Sequence, residues 1–351
     1  MLETIGEANF AAIIGLFGGL ILGLAARVGR FCTLGAIEDF QYGHDSRRLR
    51  MWGLAIGIAV IGSHIALQFE TFTAADTAYL DRVWNPIATI IGGLMFGYGM
   101  ALSGNCGYGA LARLGGGDLR SFVVVIVMGL SAYFVMSGPL AHARVAIFPV
   151  ITGTDAPQGI SQWMEAQLGI SMLAGGLLIG GLITTVSLAN RRFIDSPKQV
   201  IWGALVGIAI VTGWIGTGYV ATNGFGLEPV ETHSFAAPIG DTIFYGMTAS
   251  GNTLSFSVGS VIGVLAGAAL GSYSKGHFRW EACEDPRELR RQIFGAALMG
   301  PGAILAVGCS VGQGISAFSI LAFSAPVALV AIFVGATIGL RQLISGFAAA
   351  E

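Results

Sequence analysis

Charged residues are scarce in this 351-residue chain: Asp, Glu, Lys and Arg make up 11% of it, and the formal net charge is −2. So little positive charge argues against nucleic acid as a partner. Hydrophobic residues make up 54% of the chain, and the mean hydropathy is +0.73. A soluble core of this size could not hide so many apolar runs of about 18 residues or more, the length of a bilayer span. The composition therefore predicts an integral membrane protein.

Cysteine and histidine are also sparse. The four cysteines contain no C-x-x-C pair and the five histidines form no cluster, which argues against a zinc site or a redox pair.

No predicted span contains the Asp/Glu relay of a strong proton coupler. The first apolar run is long enough to span and has no basic region before it, so no cleavable signal is expected. We predict no enzyme activity, no catalytic residues, no metal and no cofactor.

Long apolar stretches and abundant glycine are what the chain has instead. The 54 glycines often recur at four-residue spacing, as in 15–23 and 259–267, which indicates helices packed backbone to backbone. Segments 30–44 and 224–247 are too short or too polar to cross a bilayer, and we expect re-entrant or interfacial helices there. Segments 138–164 and 195–199 are expected to be loops. The predicted spans are 9–28, 50–68, 86–103, 121–138, 169–189, 200–219, 255–272, 291–307 and 324–340.

The distribution of Lys and Arg predicts the orientation. With the N-terminus outside, sixteen of the eighteen basic residues lie on the inner side, and only Arg82 and Arg144 lie outside. We therefore predict a periplasmic N-terminus and a cytoplasmic C-terminus.

Residues 92–111 recur as residues 295–314, at an offset of 203. The identities include Cys106 with Cys309, and five predicted spans separate the two copies. Because five is odd, the copies must be inverted, which predicts halves at 1–162 and 200–351 joined by a connecting span at 163–199. At an offset of 184, Cys32 falls on Gly216, which predicts four equivalent positions at the centre of the fold, three with cysteine and one with glycine. Chance matching between Gly/Ala-rich helices is the alternative.

Each copy describes an apolar helix, a Gly-Cys break and a short polar helix. Such a break in a membrane must line a cavity or be packed in protein, and duplicated breaks point to a substrate site. Asn105 and Ser310 are the expected caps of the helices that follow. A helix that begins there would aim its free N–H groups at the break and form an anion site. Glycines that allow close backbone approach support both breaks: Gly104, Gly107, Gly109, Gly308 and Gly312.

The cysteines indicate which kind of ligand the site would prefer. A neutral thiol can donate a weak hydrogen bond to an anion, whereas a thiolate would repel it. Polarizable sulfur suits a soft, sulfur-bearing ligand, and weak donors suit passage. A buried cysteine is often only a small hydrophobic residue. Because three of them fall at related breaks, we predict that Cys32, Cys106 and Cys309 line a path, whereas Cys283 matches no break and is incidental.

Several polar residues have two interpretations each. His64 is a candidate functional group inside a span, or a neutral histidine bonded between helices. Glu38 and Asp39 suit an interfacial helix face better than a pore. Arg27 and Arg30 flank Cys32 and could attract anions or snorkel to headgroups. Further candidates for the path, against the alternative of ordinary helix-surface or packing residues, are Arg30, Arg113, Gln313 and Gly216.

The segments RFC (30–32), GNCGYG (104–109) and GCSVGQG (308–314) resemble the three cysteine motifs of the YeeE/YedE family of sulfur-compound transporters. The resemblance implies an hourglass-like fold whose inward-pointing loops meet at a narrow central path. It also implies that the thiols of Cys32, Cys106 and Cys309 pass thiosulfate along by S–H hydrogen bonds, with modest conformational change. A small sulfur-carrier-like protein, which we expect to be separate because none follows Leu340, would be a cytoplasmic partner.

We therefore predict an all-α membrane protein with about nine transmembrane helices, short re-entrant or interfacial helices and two inverted repeats. Its expected function is import of thiosulfate or a related small sulfur-containing anion across the bacterial inner membrane. A membrane thiol-disulfide oxidoreductase is one alternative, although C-x-x-C and a quinone-site signature are missing. A copper transporter is the other, although the methionines near the breaks lack M-x-x-x-M spacing and helix N-termini would repel a cation.

Overall fold

The chain is all-helical. The computed structural model describes residues 5–153, 156–225, 228–283 and 285–348, and these ranges contain helices and isolated β-bridges but no β-strand. The all-α prediction is thereby confirmed. The helices are α1 (Glu7–Arg27), α2 (Thr33–Gln41), α3 (Arg47–Gln68), α4 (Pro86–Ser103), α5 (Gly107–Gly115), α6 (Leu119–Met136), α7 (Ala141–Ile147), α8 (Ile160–Leu168), α9 (Met172–Leu188), α10 (Arg191–Ile194), α11 (Pro197–Asn223), α12 (Ala237–Thr248), α13 (Phe256–Ser274), α14 (Pro286–Leu305), a π-helix (Gly312–Ala317) and α15 (Ser324–Ala348).

Seven helical stretches in the described ranges are long and apolar enough to cross a membrane: α1, α3, α4 continued into α5, α6, α11, α13 and α15. The two other predicted spans coincide with α9 and α14. Helix α9 has only 17 residues, and α14 begins with the charged sequence PRELRR. The structure thus confirms a multi-pass helical protein with seven candidate spans, but not the count of nine.

The glycine stripes bring α1 and α13 into backbone contact. A Cβ atom added to Gly19 would lie 2.2 Å from the carbonyl oxygen of Ser260, and one added to Gly263 would lie 2.3 Å from that of Leu16. Only glycine fits such an interface, so the predicted close packing is confirmed. Contacts of Gly15 with Phe256 and of Gly23 with Val264 show that the two helices run in the same direction.

The repeated glycines of the two copies pack against each other. A Cβ on Gly92, near the start of α4, would lie 2.6 Å from the carbonyl oxygen of Gly302, near the end of α14. A Cβ on Gly99 would lie 2.5 Å from the carbonyl oxygen of Gly295. Helices α4 and α14 are therefore antiparallel, and each is followed directly by a cysteine-containing break.

Two short helices occupy the segments predicted not to cross. Helix α2 lies within 30–44, and α12 covers the second half of 224–247 and ends one residue beyond it. The expectation that 138–164 is a loop is wrong in part, because α7 and the first turn of α8 fall within it. Likewise α11 begins at Pro197, inside the second expected loop, because proline is well placed in a first helical turn.

His64 joins helices within the core. Its Nδ1 lies 2.9 Å from the carbonyl oxygen of Val60, and its Nε2 lies 3.0 Å from the Ser161 hydroxyl on α8. Since a carbonyl oxygen can only accept, Nδ1 donates to Val60, and in the neutral ring Nε2 then accepts from Ser161. Its side chain is buried against Gly176. These contacts are those of the second interpretation, a neutral histidine bonded between helices.

Candidate functional site

Three cysteines stand where helices begin. Cys32 is the N-cap of α2, and Cys106 is the N-cap of α5. Cys309 directly precedes a helical segment over 310–319 that includes the π-helix. Cys106 and Cys309 are buried, whereas Cys32 is partly exposed. Each thiol therefore lies at the positive end of a short helix.

The backbone turns in the same way before each of these cysteines. The residue two positions earlier has a positive φ in all three cases: 56° at Arg30, 75° at Gly104 and 57° at Val307. Gly104 adopts this left-handed conformation at little cost. Val307 is β-branched and rarely does so, which marks a position that its surroundings hold under strain.

The thiols themselves cap two of the helices. The Sγ atom of Cys106 accepts a hydrogen bond from the backbone N–H of Gly109, and that of Cys309 accepts one from Gly312, both at 3.4 Å. The expected caps, Asn105 and Ser310, are therefore wrong by one residue in opposite directions. Asn105 precedes the cap, and its buried Oδ1 has no hydrogen-bond partner. Ser310 is already the first helical residue.

Hydroxyl and thiol contacts join the three breaks. The side-chain oxygens of Thr33, which follows Cys32, and Ser310, which follows Cys309, are 3.0 Å apart. The Cys106 thiol lies within interaction range of the Ser310 side chain and of the Cys32 and Cys309 thiols. The structure thus brings the three predicted cysteines into one group, called here the cysteine cluster.

A fourth helix N-terminus meets the cluster at Ala236, the N-cap of α12. The backbone N–H of Phe235 donates to the Cys309 Sγ at 3.3 Å. Gly216 does not hold this position, so that prediction is wrong. It lies inside the unbroken helix α11 and packs against Ile14 of α1.

Aromatic rings enclose the cluster. Phe31 stacks on Trp52 with ring centroids 4.6 Å apart and meets the edge of Tyr108 at 6.4 Å. Tyr108 in turn packs against Phe235 at 5.2 Å, and its hydroxyl donates to the carbonyl oxygen of Leu22. All of these rings are buried, so they help to hold the breaks in position.

A cavity of about 280 Å³ lies on one side of the cluster. It reaches the cluster at Ser234 and Gly308, and the Ser234 hydroxyl is 3.8 Å from the Cys309 Sγ. We call it the Glu231 cavity. Its polar lining includes Tyr79, Arg82, Arg144, Glu231, Thr232, Asp241 and Ser257.

A second cavity, of about 740 Å³, reaches the cluster at Cys32 and Asn105. We call it the Arg27 cavity. The acidic residue in its lining is Glu281. Most of its charged residues are basic: Arg27, Arg30, Arg48, Arg113, Lys275 and Arg279. The first turn of α13 lines the Glu231 cavity at Ser257, and its last turn lines the Arg27 cavity at Ser272. The cluster thus lies between two cavities at opposite ends of a span.

Other candidates for the path have different places. Gln313 is fully buried, and its amide donates to the carbonyl oxygens of Ala306 and Val307 at 2.6 and 3.1 Å. It therefore closes the end of α14 rather than facing either cavity. Arg113 donates to the carbonyl oxygen of Gly104 at 3.2 Å and, like Arg30, lines the Arg27 cavity. A Cβ on Gly107 would lie 2.6 Å from the carbonyl oxygen of Phe235.

Residues for which the sequence predicts no role in the path lie outside the cluster. Cys283 belongs to the segment before α14, where its thiol donates to the carbonyl oxygen of Asp285. Asp39 pairs with Arg48 at 3.2 Å on the polar side of α2, and Glu38 beside it is exposed.

The acidic residues of the Glu231 cavity, Glu231 and Asp241, are not among the site residues predicted from the sequence. Burial, and then the nearby Asp241 carboxyl, raise the pKa of Glu231 to about 7. Burial also raises the pKa of Asp241, which accepts a hydrogen bond from the Tyr133 hydroxyl. Both acids lie between the predicted spans, so a search of the spans for acidic relays could not find them.

A family profile and two relatives match most of the chain. The sequence profile of a family described as "Sulphur transport" matches residues 28–338. The thiosulfate transporter TsuA of Escherichia coli (strain K12) is 24% identical over 342 residues, which cover 92% of this chain and 91% of that protein. The thiosulfate transporter TsuA of Spirochaeta thermophila (strain ATCC 700085 / DSM 6578 / Z-1203) is 23% identical over 331 residues, covering 92% and 96%.

Proposed function

Because the chain belongs to the YeeE/YedE family of sulphur-transport proteins, we propose that it imports thiosulfate, or a closely related small sulfur-containing anion, across a bacterial inner membrane. Two relatives that match most of the chain are named as thiosulfate transporters. One structural observation carries the proposal. Three thiols at helix N-termini form a cluster between two cavities at opposite ends of α13.

The chemistry of the cluster suits a small anion. Helix N-termini offer partial positive charge and free N–H groups without a tightly bound counter-ion. Neutral thiols donate weakly, so they can hold the anion without trapping it. In this proposal the anion moves from Ser234 to Cys309, then to Cys106 and Cys32, and leaves through the Arg27 cavity. Asn105 lines the Arg27 cavity, where its Nδ2 group could donate to the anion.

The order and direction of the helices support two inverted halves, at 1–162 and 200–351, with 163–199 as the connection. Helices α4 and α14 are antiparallel. Helices α1 and α11 are antiparallel too, because Ile14 meets Gly216 while Gly29 meets Trp202. Hourglass-like closure would follow if the breaks of each half enter from opposite faces, which is the geometry of many transporter sites.

The distribution of basic residues supports a periplasmic N-terminus and a cytoplasmic C-terminus. The Glu231 cavity, which holds both Arg82 and Arg144, then faces the periplasm. The strongly basic Arg27 cavity faces the cytoplasm. We also propose that a separate small sulfur-carrier-like protein receives the anion on that side.

Growth on thiosulfate tests this function. A bacterial strain that lacks its sulfur-uptake systems is supplied with thiosulfate as the sole sulfur source, with and without this chain. We expect growth only with the chain, and loss of growth with C106A or C309A at normal membrane levels of the protein. Growth of either variant at the wild-type rate would contradict the proposed path, and no growth with the wild-type chain would contradict the function.

A further inference from the structure

The Glu231 cavity contains two acids and two arginines that do not neutralise one another. Arg82, Arg144, Glu231 and Asp241 all line it. The ion pairs found in the described residues, with N–O distances up to 4.0 Å, involve Arg47, Arg48 and Arg120 instead. The arginines are therefore free to attract an incoming anion, while the acids keep their own charge when ionised.

The hydrogen-bond partners of the two acids suit either protonation state. The Ser257 hydroxyl lies 3.2 Å from one Glu231 carboxyl oxygen, and the Tyr133 hydroxyl bonds Asp241. A hydroxyl group can donate to a carboxylate and can also accept from a carboxylic acid. Each acid therefore keeps its hydrogen-bond partner whether or not it is protonated. A fixed ion pair with arginine would not allow both states.

Ionised acids would oppose the anion that the cavity receives. The cavity leads to Ser234 and Cys309, so an anion bound there shares about 280 Å³ with both carboxyl groups. Like charges at such short range repel strongly where solvent is limited. Protonation of Glu231 removes one of these charges. By linkage, a bound anion must then increase the affinity of the acids for protons.

We propose that Glu231, assisted by Asp241, is the site of a proton that binds together with the anion in the Glu231 cavity. This inference rests on the proposed function. The proton comes from bulk solvent, attaches to a Glu231 carboxylate oxygen, and is held while the anion is present. The site thus accepts an anion–proton pair rather than a bare anion.

The surroundings of Glu231 contain few other titrating groups. Its own segment also holds Glu228, which adds negative charge. Helix α12 contributes Asp241, while α11 and α13 contribute the hydroxyls of Thr217 and Ser257. Tyr79 and Arg82 come from the segment before α4, and Arg144 from α7. A carboxyl group with a pKa of about 7 is consistent with proton binding at physiological pH.

Binding of radiolabelled thiosulfate to the purified chain, from pH 5.5 to 8.5 in sodium-free buffer, tests the inference. For the wild type, we expect the dissociation constant to rise about tenfold per pH unit above neutrality, as one linked proton requires. A pH-indicator dye in weak buffer at pH 7.5 should report proton uptake when thiosulfate is added. E231Q should bind with a dissociation constant that no longer changes with pH and should take up no proton.

Two matched variants serve as controls. E228Q removes the other acid of the same segment, and H142Q removes the exposed histidine of α7. Both should keep the wild-type slope of about tenfold per pH unit, because Glu231 is still present to bind the linked proton. D241N, which removes the nearby charge that raises the Glu231 pKa, should move the onset of the pH dependence to lower pH and provides the test if E231Q does not fold.

Each result has one meaning. Thiosulfate binding that is independent of pH in the wild type would overturn proton co-binding alone. So would a pH dependence in E231Q, or in D241N where E231Q does not fold, that is the same as in the wild type. Binding that requires added sodium would overturn it in favour of a metal cation. An absence of thiosulfate binding at every pH would contradict the proposed function itself, and the co-binding with it.

Discussion

The hydroxyl groups of Thr33 and Ser310, each in the first turn of a different helix, lie 3.0 Å apart. This single contact joins the break at Cys32 to the break at Cys309, across 277 residues of sequence. Because Ser310 also lies within interaction range of the Cys106 thiol, the hydroxyl pair stands at the centre of the cluster.

Replacing Thr33 by valine keeps the shape of the side chain and removes its hydroxyl. Loss of one such hydrogen bond is worth about 1 kcal/mol, so we expect thiosulfate uptake to fall roughly fivefold. The measurement is the initial rate of uptake of labelled thiosulfate into proteoliposomes. T185V is the matched control, because the Thr185 hydroxyl is exposed and bonds only within α9. An unchanged rate in T33V would show that the contact is dispensable.

The cysteines should differ in importance. Cys106 and Cys309 are buried caps with bonds to backbone N–H groups, whereas Cys32 is partly exposed and its thiol caps nothing. We expect C106A and C309A to abolish uptake, and C32A to reduce it by about tenfold or less, since one weak donor contributes no more than an ordinary hydrogen bond. Uptake by C283A should match the wild type. Equal loss in all four variants would point to a general thiol effect.

The contact between α4 and α14 should depend on Gly99. An added Cβ would lie 2.5 Å from the carbonyl oxygen of Gly295, and backbone cannot move aside as a side chain could. We expect G99A to lower the free energy of unfolding by about 1–3 kcal/mol, the usual cost of overpacking. Thermal unfolding in detergent measures it. G181A is the control, because a Cβ at Gly181 of α9 would meet nothing within 4 Å. A G99A variant as stable as G181A would contradict the contact.

Stability should fall as pH rises through the titration of Glu231. Its pKa is about 7 in the folded protein against 4.5 ordinarily, so the folded state binds this proton more tightly than the unfolded chain. The contribution is therefore fully present below pH 4.5 and is lost as pH rises to about 7. We expect the melting temperature of E231Q to approach and then exceed that of the wild type between pH 5 and 8. A constant difference across this range would contradict the raised pKa.

The long spans and the cysteine breaks could be predicted because their signals are local. Apolar runs of about 18 residues are typical of membrane-spanning helices, and all nine predicted stretches coincide with helices. The breaks at Cys32, Cys106 and Cys309 combine glycine with polar residues directly after apolar sequence. The exact caps could not be predicted, since a thiol is not an ordinary capping group.

There is a physical reason why the repeat pattern indicates Gly216, although the fourth central position belongs to Ala236. Glycine and alanine recur about every four residues wherever these helices pack closely, so any two of them match at several offsets. The Phe-Ala pair at 235–236, which resembles the Phe-Cys pair at 31–32, is the better signal. The Glu231 cavity has no local signal, because Tyr79, Arg144 and Asp241 come from three separate segments.

The placement of two cavities at opposite ends of α13 has an electrical consequence. Where water enters from both faces, the membrane potential falls mainly across the narrow layer that excludes water. In this protein that layer is the cysteine cluster. One elementary charge that crosses the full potential gains or loses about 2.3 kcal/mol per 100 mV. A dianion that enters a negative cytoplasm meets about twice that opposition within a few residues. Its rate of entry should therefore depend steeply on voltage, and less steeply when a positive charge travels with it.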